Sequence, residues 1–157
     1  MKIFLCSIGK PHDGLLRGAI ENFTERVSRY CDIEWKIIPP PKNAGKLNEK
    51  DLKKKEAEAV LSVLDKNDWL VALDEGGKEF TSEGLAGFIE TRKNDSIKHL
   101  VFVIGGAYGL EDSVLKRSNH KWSLSKLTFP HQLVRLMLIE QLYRTFTILN
   151  NEKYHHK

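Results

Sequence analysis

Three stretches of this chain hold residues that could do chemistry. The first is Ile104-Gly105-Gly106-Ala107-Tyr108-Gly109-Leu110. Glycines placed after a strand let the backbone approach a ligand closely. The spacing is not GxGxxG, and no GxxxxGK[ST] occurs anywhere, so dinucleotide and phosphate-loop readings lose their main support. A plain tight turn would look the same. The second is Leu124-Ser125-Lys126-Leu127-Thr128-Phe129-Pro130-His131. Pro130 suits the first turn of a helix, where its missing N–H costs nothing. The loop before it offers main-chain donors and acceptors, with Ser125 and Thr128, to the polar edge of a small ligand. His131 could serve as a base, touch a nucleobase or cap a helix. The third is the tail, Asn150 to Lys157. Tyr154 could stack on a base, His155 could handle a proton, and Lys153 and Lys157 could meet phosphates. A frayed, solvated end would read the same way.

Other chemistries lack their residues. HExxH and CxxC are missing, so no metal site is expected. No G-x-S-x-G elbow occurs. The two cysteines, Cys6 and Cys31, make neither a disulfide framework nor a metal set, which fits a reduced, cytoplasmic protein.

The elements that must position these stretches follow from apolar patterning. Residues 2–8, 33–38, 69–73, 99–104 and 120–124 read as strands, the third and fourth as continuous apolar runs. Helices are expected over 14–30, 49–66, 83–93, 111–117 and 131–149. Leu16, Ala19, Ile20, Phe23, Val27 and Tyr30 form the apolar face of the first helix. Lys53, Lys54 and Lys55 lie on the exposed side of the second, and Thr81 or Ser82 caps the third. Residues 39–48, with three prolines, form a long loop. Alternating strands and helices with both-sided apolar strands mean an α/β fold, a parallel sheet with helices on both faces. Ligands in such sheets sit at the carboxyl ends of the strands. That places Leu73-Asp74, Gly105-Gly106 and Leu124 to Phe129 at one pole.

The last helix is apolar almost all round, from Leu133 to Leu149. One sheet can cover one face of it, so a second copy of the chain is expected on the other, as a twofold homodimer.

Length and charge bound the rest. The chain has 157 residues, an expected single domain over 1–157, with 41% hydrophobic and 29% charged residues and a net charge of +4. It holds no apolar run long enough to span a membrane and no leader-type segment. Residues 116–157 carry eight Lys/Arg against two acids, while residues 1–115 carry seventeen against nineteen. A basic end on a near-neutral domain points to an anionic partner, most simply nucleic acid. A solvated basic face without a partner has the same composition.

Taken together, V-I-G-G-x-x-G-L at 103–110, S-x-S-K-L-T-F-P-H-Q at 123–132, I-E-Q-L-Y-R at 139–144 and the terminal Y-H resemble the bacterial ribosomal RNA large subunit methyltransferase H family of the SPOUT superfamily. K-I-F-L-C-S-I-G-K at the start and L-D-E-G-G-K at 73–78 extend the likeness over the whole chain. The resemblance implies a C-terminal trefoil knot, which general topology rules would have excluded. It implies that S-adenosylmethionine binds at Leu73, Gly105, Leu124, Ser125, Lys126, Leu127, Thr128 and Phe129. It implies a homodimer whose site is completed by the partner's tail. It implies methylation of N3 of a pseudouridine (pseudouridine-1915, in the stem-loop of helix 69) in 23S rRNA on assembled ribosomes. His155 is then the candidate base or orienter and Tyr154 the stacking or hydrogen-bonding residue. Arg144, the third catalytic candidate, and Arg135 would meet phosphate or orient the tail, and Arg135, His131, Lys153 and Lys157 would contact RNA. The family ends in Tyr-His and a basic residue; here His156 takes that place and Lys157 follows. Three other readings fit parts of the sequence: a non-enzymatic ribosome-binding factor of the same fold, a SPOUT enzyme for another RNA base, and a small-ligand enzyme using the Gly cluster.

Overall fold

The computed structural model describes residues 1–156, so Lys157 lies outside the described residues. Its elements are β1 (Lys2–Ile8), α1 (Arg17–Ser28), β2 (Asp32–Ile38), α2 (Glu49–Ser62), β3 (Trp69–Glu79), α3 (Ser82–Asn94), β4 (His99–Ile104), α4 (Asp112–Arg117), β5 (His120–Ser123) and α5 (His131–Leu149). The five strands form one parallel sheet in the order β2-β1-β4-β3-β5. The inner strands β1 and β4 are buried on both faces, as their continuous apolar runs require.

Two cores flank the sheet. Ile20 and Val27 of α1, Leu85 and Ile89 of α3, and Leu138, Ile139, Leu142 and Phe146 of α5 pack on one face. Ala57 and Val60 of α2 and Val114 of α4 pack on the other with Phe4, Cys6 and Val101. Burial of this kind gives about 1.5–3 kcal/mol per large apolar side chain. Of the expected apolar face of α1, Ala19 turns out exposed.

The element order is as expected, with boundaries shifted for local reasons. Helix α1 begins at Arg17 because Asp13 closes a turn first, its Oδ1 accepting from Leu15 N–H at 2.9 Å. Helix α2 stops at Ser62 because Asp68 Oδ2 accepts from Asp65 N–H at 2.9 Å and turns the chain into β3. Asn48 and Thr81 cap α2 and α3 through the N–H groups of Asp51 and Gly84.

Strand β3 differs most. Its expected end at Leu73 is an interruption: pairing with β5 lapses after Leu73 and resumes at Lys78 and Glu79. Residues 74–77 bulge out of the ladder between them. Gly77 makes the return possible, since a Cβ there would lie 2.6 Å from the backbone of Lys121. The pair of glycines reads as a strand end, but it lets the strand leave and re-enter.

Candidate functional site

The carboxyl ends of β3, β4 and β5 open onto a pocket of about 470 Å³, within the usual range for small-molecule sites. The bulge after Leu73 contributes Asp74 and Glu75, the turn after β4 contributes Gly105, Ala107, Tyr108, Gly109 and Leu110, and the loop after β5 contributes Leu124, Ser125, Leu127 and Phe129. These three segments are the three strand tips singled out by sequence.

Each wall has a local cause. Gly109 sits at φ +80, and its N–H donates to Gly106 O at 3.1 Å, folding the glycine turn on itself. A Cβ on Gly105 would meet Gly109 backbone carbon at 2.7 Å, so this close approach requires glycine. In the third wall, Ser125 Oγ accepts from Leu127 N–H at 3.0 Å, and Ser123 Oγ donates to Ser125 O at 2.8 Å. Thr128 Oγ1 donates to Glu75 Oε1 at 2.9 Å, clasping the third wall to the first. Pro130 directly precedes α5, whose second turn adds Val134 to the pocket.

Of the eight residues assigned to this site from sequence, Leu73, Gly105, Leu124, Ser125, Leu127 and Phe129 line the pocket, while Lys126 and Thr128 do not. Lys126 is exposed, and Thr128 acts through its bond to Glu75. Three charged liners lie outside those eight: Asp74, already placed at the strand tip with Leu73, and Lys53 and Glu75, which the sequence did not point to. Lys53, expected on the exposed side of α2, is half-buried at the pocket wall. Leu127 is 68% exposed and Tyr108 51%, two large apolar groups at the rim.

The tail forms a separate cluster. Arg144 and Glu140, one turn apart on α5, pair at 2.5 Å. Tyr154 O–H donates to Glu140 Oε1 at 3.1 Å, and the Arg144 guanidinium lies over the Tyr154 ring at 4.8 Å. Burial, with Glu140 beside it, raises the Tyr154 pKa, so the phenol stays a donor. His155 Nδ1 lies 3.4 Å from Arg144 Nη1, and its Nε2 lies 3.0 Å from Glu83 Oε1. The three residues assigned to catalysis are therefore assembled with one another. They are not assembled with the pocket of their own chain. Val134, at the pocket, and Arg144 are ten residues apart on α5, about 15 Å at the helical rise.

Arg135 must be corrected. Expected to meet phosphate or to orient the tail, it is 0% exposed. Its Nε donates to Ser7 Oγ at 2.7 Å and its Nη1 to Lys10 O at 2.9 Å. It fastens α5 to the end of β1, because its side chain points inward with Leu138 and Leu142. His131 is half-buried beside it, and burial together with the Arg135 charge lowers its pKa. Lys153 is exposed.

Asp65, Asp68 and His99 bring three possible metal-ligand atoms within 4.8 Å, at the opposite pole of the sheet. Asp68 is already engaged there, with His99 Nδ1 at 2.9 Å and Asp65 N–H at 2.9 Å. No helix among the described residues is long and apolar enough to cross a membrane.

Comparison with known proteins bears on this arrangement. Residues 1–155 match the family model described as predicted SPOUT methyltransferase. The chain is 47% identical over 157 residues to ribosomal RNA large subunit methyltransferase H of Christiangramia forsetii, covering all of both chains. It is 42% identical over 158 residues to the protein of that name from Clostridium perfringens, covering 99% of each. The crystal structure of a probable methyltransferase from Bordetella pertussis Tohama I superposes with a TM-score of 0.58, over 92% of this chain and 95% of that one, at 10% identity. At that identity the likeness concerns the fold.

Proposed function

The chain belongs to the ribosomal RNA large subunit methyltransferase H family of SPOUT methyltransferases, and from that membership we propose that it methylates N3 of a pseudouridine in 23S rRNA, with S-adenosylmethionine as donor and the assembled ribosome as substrate. The observation that carries this reading is the separation of two half-sites: a pocket built from Leu73, Gly105 and the Leu124–Phe129 loop, and a tail cluster about 15 Å along α5 from it.

The pocket fits the donor in size and charge. Asp74 and Glu75 offer carboxylates to a sulfonium and an ammonium, Lys53 offers a cation to a carboxylate, and Leu73, Leu124 and Phe129 offer apolar surface to an adenine. S-adenosylmethionine, when bound, supplies a methyl carbon already activated by its sulfonium. The chain has to exclude water, align N3 with that methyl and take the N3 proton. Alignment alone can contribute about 7–11 kcal/mol in the best intramolecular cases. His155 is the proposed proton acceptor or orienter. Arg144 and Tyr154, held by Glu140, fix the base against it.

Because the tail cluster does not reach the pocket of its own chain, the reading requires a homodimer in which the partner's tail closes the site. The outward side of α5 supports it, since Leu133, Leu136 and Met137 stay partly exposed there. The trefoil knot of the family and a cytoplasmic location belong to the same reading. RNA would be gripped through exposed cations such as Lys153, Lys126 and Lys121, by shape and phosphate more than by base edges.

The test is methyl transfer from labelled S-adenosylmethionine to intact ribosomes, free large subunits and naked rRNA, with the modified base identified by mass. Label on N3 of one pseudouridine, in ribosomes, is the expected result. Donor binding with label on another base would reassign the target. Neither binding nor transfer would leave a non-enzymatic RNA-binding factor as the better account.

A further inference from the structure

Glu56 of α2 is a buried acid that the reaction scheme leaves unused. It is 5% exposed, and its Oε1 has no hydrogen-bond partner among the described residues. Desolvation raises its pKa. A lone carboxyl is costly to bury, so a fold that keeps one there uses it for something.

Its neighbour is Gly106. A Cβ added to Gly106 would collide with Glu56 Oε2 and come within 3.2 Å of its Cδ and Oε1. Unlike Gly109, Gly106 does not have a positive φ. Its φ does not call for glycine, and the atoms a Cβ would meet there are those of the Glu56 carboxyl. Gly106 is also one end of the bridge to Gly109 that closes the glycine turn, and Gly105 packs against Gly109 from the other side. The turn resting on Glu56 is thus the β4 wall of the pocket.

We propose that Glu56 is a positioning residue for the donor pocket: its carboxyl props Gly106 from beneath and sets the place of the 105–109 wall. The role at the donor rests on the reading of the pocket given above; the contact with the wall does not. Glutamine keeps the size and a hydrogen-bonding head and should substitute. Alanine removes the prop. Alanine at 106 should clash with the intact carboxyl and be accommodated once it is shortened.

The experiment compares wild type, E56Q, E56A, G106A and E56A/G106A by amide hydrogen exchange over residues 105–110 and by calorimetric titration with S-adenosylmethionine. E56A and G106A should each speed exchange in this turn and weaken donor binding about tenfold. E56Q should stay near wild type, and the double variant should recover toward it, with exchange in α5 unmoved throughout. Unchanged exchange in E56A, or effects of E56A and G106A that simply add, would overturn the proposal. Should E56A not fold, E56D, one methylene shorter, takes its place in both arms. A wild type that fails to bind S-adenosylmethionine would contradict the donor reading, and the exchange data would still decide whether Glu56 props the wall.

Discussion

Arg135 Nε donates to Ser7 Oγ at 2.7 Å, tying the start of α5 to the end of β1. The same guanidinium reaches Lys10 O, and no carboxylate accepts from it among the hydrogen bonds of the described residues. A cation this deeply buried is kept for its hydrogen bonds, which fix where α5 leaves the pocket.

R135A should therefore act on stability. Losing the bond to Ser7 and leaving a void should cost about 3 kcal/mol in chemical denaturation. The salt dependence of ribosome binding should keep its slope. K153A should do the reverse: unchanged stability, with the slope of log affinity against log salt smaller by about 1.

G105A should weaken donor binding more than it harms the fold. The new methyl meets the Gly109 backbone at 2.7 Å, and the turn can make room only by opening into the pocket. Titration with S-adenosylmethionine should show affinity lowered at least about tenfold, equivalent to about 1.4 kcal/mol, with the far-ultraviolet spectrum unchanged.

Stability should fall with acid below about pH 6.5. Burial depresses the pKa of His131, with the Arg135 charge adding to it, and does the same to His12 and His120. The folded state then holds fewer protons than the unfolded one, so stability rises with pH across this window. The contribution is complete above the ordinary histidine value of 6.5 and is lost as pH drops toward the depressed values. Melting temperatures from pH 8 to 5 should decline, and H131Q should flatten part of the decline. Glu34, Glu111 and Asp112, whose pKa values are lowered by Lys2, Ser113 and Lys116, act only further down, below about pH 4.5.

What could be read in the sequence follows from what leaves a local mark. The strand 99–104 and the helix 131–149 coincide with β4 and α5, because unbroken apolar runs and a proline at the helix start are local signals. The three pocket walls were legible for the same reason, as each is a short loop directly after an apolar strand. The β3 bulge was not, since the return of Lys78 to β5 depends on how Gly77 meets Lys121, 44 positions away. The burial of Arg135 leaves no local mark, because a lone arginine on a helix is normally solvated and its partners Ser7 and Lys10 are more than 120 residues distant. Glu56 did leave a sign: it stands four residues from both Leu52 and Val60, on the apolar stripe of α2. Asp74 was marked only by its place at the tip after Leu73, and Lys53 and Glu75 gave no sign, because charged residues near a strand tip are ordinary until the pocket joins them.

The reacting centre is proposed to be shared between two copies of the chain, and subunit complementation tests this most directly. G105A damages only the pocket and H155A only the tail, so with S-adenosylmethionine held far below saturation of the G105A pocket each homodimer should be nearly inactive in methyl transfer to ribosomes. Dimers mixed one to one after unfolding and refolding together should regain roughly a quarter of wild-type activity, because half are heterodimers and each of those holds one intact pocket facing one intact tail. A mixture no more active than its two components would contradict the shared site.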